Sequence, residues 1–117
     1  VSLSQCKPSK KLASALGAMR SGLAPHLPLD LDADTRLEKV EVLNGNLVYE
    51  QRLHGYAREE LDLESTVPAL RQLGLQNVCG APEMVALVEQ GATVRYVYRD
   101  KAGQELTTVD VFEGVCP

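Results

Sequence analysis

Asp30, Asp32 and Asp34 alternate along the chain, with Leu37 and Glu41 at the eighth and twelfth places counted from Asp30. This is the spacing of the oxygen ligands in a helix–loop–helix calcium site. The glycine that such a loop needs at its sixth place is Thr35, and the flanks are a proline-broken linker and a strand-like run. The acids are therefore expected to keep an exposed linker solvated. Zinc needs three or four convergent Cys or His ligands, but His26 and His54 are far apart and there is no Cys-x-x-Cys. A cysteine nucleophile needs an activating neighbour, and Cys6, Cys79 and Cys116 have no nearby histidine in the sequence. No G-x-S-x-G elbow and no phosphate-cradling glycine loop occurs. Glu59, Glu60, Asp62 and Glu64 cluster on a polar stretch expected to face solvent. The expectation is a binding protein with no catalytic residues, no metal and no cofactor.

The elements around these residues are short and well punctuated. Ser9 to Leu23 reads as a helix capped by Ser9, with Leu12, Leu16, Met19 and Leu23 on one stripe. Pro25 and Pro28 end it. Leu37–Leu43 and Leu47–Leu53 flank Asn44-Gly45, a dipeptide suited to a type I′ hairpin turn. In the second run Leu47, Tyr49, Gln51 and Leu53 share a face, and Gln51 is its polar interruption. Residues 54–65 read as a loop. Thr66 is expected to cap a second helix with Pro68 in its first turn, running to about Val78. Pro82 opens a third helix, with Met84, Leu87 and Val88 on its apolar face, and Gly91 follows it. Val94, Tyr96 and Tyr98 alternate in a strand, Asp100–Gly103 forms a turn, and Leu106–Phe112 returns. The fold class is α+β: an antiparallel sheet of about four strands in two hairpins, with about three helices on one face.

Composition agrees with a single domain spanning 1–117, in which a basic helix and linker (1–28) precede a core (29–117). Of the 117 residues, 44% are hydrophobic and 4% aromatic, so Leu, Val and Ala must fill the interior. The first 28 residues carry Lys7, Lys10, Lys11 and Arg20 and no acid, while 29–64 hold ten acids against four bases. The net charge of −4 does not supply the basic footprint of a nucleic-acid binder. No apolar run approaches the roughly 20 residues of a transmembrane helix. The chain begins at Val1 without an initiator Met, as it would after removal of an export signal or equally after trimming of a longer sequence, and an odd cysteine count in an exported protein means one pair and one remaining thiol.

The segments Asp34-Thr35-Arg36-Leu37, Val78-Cys79-Gly80-Ala81-Pro82-Glu83-Met84, Leu87, Gly91-Ala92-Thr93 and Tyr96–Asp100, with a final Cys116, occur in an ordered series. It resembles a group of small Gram-negative periplasmic proteins that includes the AspS-type (GspS-beta) pilotins of type II secretion. The resemblance covers residues 28–116 and is most specific over 76–99. It implies an antiparallel sheet with helices, a disulfide between Cys79 and Cys116, and a periplasmic, outer-membrane-associated location. It also implies a protein partner, the C-terminal segment of a secretin. Closing that disulfide requires the third helix to cross the sheet obliquely or the tail to fold back at Gly114. Ser4-Gln5 before Cys6 is not the small-residue context of lipoprotein processing, so Cys6 is expected to carry no lipid.

The functional expectation is a non-enzymatic periplasmic protein that binds a secretin helix in an apolar groove, with Leu12, Leu16, Met19 and Leu23 as partner-binding residues. The alternative is a periplasmic inhibitor or immunity protein that caps another enzyme. A calcium-dependent module, resting on the aspartate spacing, is the third reading.

Overall fold

Ser9 begins the described part of the chain by accepting a hydrogen bond from the Leu12 amide at 3.1 Å, which caps helix α1 (Lys10–Leu23). The structure, a computed structural model, describes residues 9–117, so Cys6 and Lys7 lie outside the described residues. A short helical turn at Ala24–His26 leads into β1 (Leu29–Asp30) and β2 (Thr35–Leu43). Asn44 and Gly45, both at positive φ, reverse the chain into β3 (Asn46–Leu53). After a single turn at Arg58–Glu60 come α2 (Leu63–Cys79), α3 (Pro82–Glu89), β4 (Thr93–Arg99) and β5 (Glu105–Val111).

The fold is α+β: among the described residues, three α-helices pack over a five-stranded sheet whose order is β1-β2-β3-β4-β5. The fifth strand is the two-residue β1, which the linker lays along β2 with Leu29 opposite Leu37. Three of the four pairings are antiparallel, and the central one, β3 with β4, is parallel. The reason is length. The 17 residues of α2 rise about 25 Å, close to the span of the eight-residue β3, so α2 carries the chain back to where β3 began. Thr93 therefore pairs with Asn46, and β4 runs alongside β3 in the same direction.

A bulge between Leu37 and Lys39 shifts the register of β2. It puts Leu37 and Val40, an odd number of residues apart, on the same helix-covered face, where both are buried. The core under the helices joins these to Leu12 and Leu16 of α1, Leu47 and Tyr49 of β3, Val78 of α2, Met84, Leu87 and Val88 of α3, and Tyr96 and Tyr98 of β4. The opposite sheet face is polar and carries ion pairs Arg99–Glu50 at 3.0 Å, Arg52–Glu38 at 2.9 Å and Arg95–Asp110 at 2.7 Å.

Helix α2 starts one turn earlier than its proline suggests. Asp62, not Thr66, is the cap, accepting from the Glu64 amide, and Pro68 lies inside the helix. Gly74 sits where α2 crosses β4 and β5: a Cβ there would lie 3.3 Å from both the Tyr96 ring and Val109. The residue that weakens the helix in isolation lets it approach the sheet.

The Cys79 and Cys116 sulfurs are bonded, with their Cα atoms 5.4 Å apart. Because α2 ends at the same end of the sheet as β5, only a short return is needed. Gly114, at φ 89°, supplies it, and the Val115 amide donates to the Phe112 carbonyl at 3.1 Å. At the other end, the buried Asp100 carboxylate accepts from the amides of Arg58, Ala102 and Gln104, tying the 54–62 loop to the β4–β5 turn. Burial opposes its ionisation, but these backbone donors outweigh that and hold its pKa below the ordinary carboxylate value.

Candidate functional site

Between α1 and α2 the sheet is only partly roofed, which leaves a groove of about 440 Å³. That volume lies within the usual range for ligand pockets. Its floor is Leu37 of β2, Tyr49 and Gln51 of β3, and Tyr96 of β4. Its lips are apolar: Met19 from α1, Leu73 from α2 and Leu31 from the β1–β2 corner, with the buried Met84 of α3 lining the wall beneath them. Leu31 and Leu73 are 46% and 39% exposed, high for leucines beside a concave apolar surface. Asp32 and Glu83 supply carboxylates at the rim.

The parallel β3–β4 pairing builds the floor. It sets Tyr49 beside Tyr96, whose rings stack with centroids 5.2 Å apart, and Tyr96 continues to Tyr98 at 6.2 Å. Burial pushes the Tyr49 and Tyr98 phenols up to about 12 and raises Tyr96 as well, so all three are neutral at physiological pH. Gln51 is 4% exposed, and its Oε1 has no hydrogen-bond partner among the described residues. The groove therefore offers apolar contact area and a few neutral polar groups, a surface that suits binding.

The stripe on α1 divides at this groove. Leu12 and Leu16 are buried in the core, at 3% and 0% exposure. Met19 and Leu23 are half-buried against the same core, and of the four only Met19 lines the groove. Sequence reasoning did not assign Tyr49, Gln51, Leu73, Met84 or Tyr96 to the site. The one available signal was Gln51, the polar break in an otherwise apolar strand face.

The aspartate series does not form a calcium loop. Asp30 pairs with Arg36 at 2.9 Å, and the hydrogen bond and charge of that guanidinium lower its pKa. Asp32 Oδ1 accepts from the amides of Asp34 and Thr35, both at 2.8 Å, which turns the chain into β2. Glu41 lies farther along the extended β2, more than about 10 Å beyond the β1 pairing, and cannot close on Asp30. Among the described residues no group of three or more His, Cys, Asp or Glu is placed to hold a metal ion. No helix among them is long and apolar enough to cross a membrane.

No protein-family model matches the chain, and no curated protein matches it in sequence. Solved structures do match it in shape. A Pseudomonas aeruginosa protein thought to be secreted superposes with a TM-score of 0.77 at 18% identity, covering 92% of this chain and 94% of its own. The pilotin EpsS of the Vibrio vulnificus type 2 secretion system gives 0.73 at 12% identity, with the same coverage of each chain. The type II secretion pilotin AspS of Vibrio cholerae gives 0.72 at 16% identity over 99% of this chain and 100% of its own. The arrangement of helices and sheet described above is thus the fold that these two pilotins and the Pseudomonas aeruginosa protein share.

Proposed function

We propose that this chain is a non-enzymatic, pilotin-like binding protein that takes an amphipathic helix from the C-terminal segment of a secretin into the groove between α1 and α2. The observation that carries the reading is the groove itself. Met19, Leu31 and Leu73 form an open apolar rim over buried Met84 and a stacked tyrosine floor, on a pilotin fold. Helices are recognised in such grooves through apolar anchors at i, i+3, i+4 and i+7, and methionine adapts to irregular partners. The Cys79–Cys116 disulfide fits residence in the periplasm, where such bonds persist.

Titration of the protein with synthetic peptides from the C-terminus of the cognate secretin tests the proposal. Saturable heat in calorimetry, with a rise in Tm on adding peptide, is expected. No heat and no stability shift at hundreds of micromolar peptide would remove the secretin reading and favour an inhibitor or immunity protein instead.

A further inference from the structure

We propose that Gln51 is the specificity-determining residue of this groove, and that its occupant is an amphipathic helix with one hydroxyl or amide side chain (Ser, Thr, Asn or Gln) on its apolar face over Gln51 and basic residues at its flanks. The inference rests on the helix-binding reading above and names what that helix must contain.

Gln51 is more than nine-tenths buried and lines the groove, and its Oε1 lacks a hydrogen-bond partner among the described residues. Its strand neighbours supply none. Leu37 on β2 is apolar, and Tyr98 on β4 has a buried hydroxyl that is itself unpartnered. A buried polar atom without a partner destabilises a fold, and native structures hold few of them. The same face of β3 carries leucine at positions 47 and 53, so an apolar side chain is compatible with this face. An amide here lowers the stability of the empty protein and is satisfied when a ligand donates to it. A site built this way favours a helix that donates to Gln51 over a wholly apolar one, because only the donor relieves an atom that is already buried and unpaired in the empty protein.

The flanks follow from charge. Asp32 and Glu83 stand at the rim, and neither forms a salt bridge among the described residues. The Asp34 and Thr35 amides that hydrogen-bond Asp32 keep its carboxyl ionised, leaving a rim complementary to Lys or Arg on the partner.

The test combines Gln51→Leu with the secretin C-terminal peptide and with variants in which each Ser, Thr, Asn or Gln is changed singly to Ala. Without peptide, Gln51→Leu is expected to raise Tm, because it removes an unpaired buried amide oxygen. With the parent peptide, the variant should lose roughly tenfold in affinity. One peptide change to Ala should cost about the same against the unmodified protein and nothing further against Gln51→Leu, the signature of a direct pair. Gln51→Met, of nearly the same length, repeats the comparison should leucine's branch disturb the floor. A fall in Tm for both variants would show that the amide is already satisfied within the protein, and would overturn the proposal. Equal affinity of the parent peptide for all three proteins would overturn it too, while leaving helix binding intact. Failure of every peptide to bind the unmodified protein removes the secretin reading, and this proposal with it.

Discussion

Leu16 and Met19 stand less than one turn apart on α1 and meet different surroundings. Leu16 is fully enclosed, so Leu16→Ala should cost about 2–5 kcal/mol, read as a fall in Tm or in the denaturant midpoint. Met19 is half-buried at the groove lip, so Met19→Gln should change stability by less than roughly 1 kcal/mol and weaken secretin-peptide binding instead. Equal destabilisation by the two substitutions would show that the lip is closed. The tyrosine floor makes a prediction at high pH. Burial raises the folded pKa of Tyr49, Tyr96 and Tyr98 above the unfolded value of about 10. Above that pH the unfolded chain has released phenolic protons that the folded chain still holds, so stability falls as pH rises. Tm measured from neutral to alkaline pH should decline from about pH 10, and Tyr96→Phe should flatten the decline.

At the level of elements, the start of α2 is the most direct test of how the helix is specified. Asp62 caps it through the Glu64 amide, and its Oδ2 also accepts from the Ser65 hydroxyl at 3.1 Å. Asp62→Ala should cost about 1 kcal/mol, the usual loss for a removed N-cap. Thr66 lies within the helix, where alanine has the higher propensity, so Thr66→Ala should be neutral or slightly stabilising. Chemical denaturation of the two variants distinguishes the caps, and the opposite ranking would place the helix start a turn later.

Across the whole molecule, the disulfide fastens the tail after β5 to the end of α2 and so joins the two ends of a 37-residue separation. On the chain-entropy model, opening it should cost about 4 kcal/mol, because the unfolded chain regains its freedom. Paired Cys79→Ala and Cys116→Ala substitutions should therefore lower Tm strongly. The groove lies under α1, α2 and α3 rather than at the tail, so the folded variant should still bind secretin peptide at low temperature. A variant as stable as the parent protein would indicate that tail docking, not the covalent link, holds this end.

Local chemistry made much of this molecule legible from its residues. Ser9 as a cap, Asn44-Gly45 as a hairpin turn, Pro82 as a helix opener and the alternation of Val94, Tyr96 and Tyr98 are signals confined to a few neighbouring residues, and each element formed where its signal lies. Pro68 misled because a proline favours a first turn, whereas Asp62 already caps the helix one turn earlier. The parallel centre of the sheet could not be read from strand patterns, since an alternating face looks the same in either direction. It was set by the length of α2 matched to β3. The groove is more remote still from local sequence. Met19, Gln51, Leu73 and Met84 belong to four different elements, and α1's single apolar stripe divides into core and lip only where the other helices leave the sheet uncovered. Short-range preferences fix each element's type, but which apolar residues remain open to a partner depends on how much surface the packed elements leave uncovered.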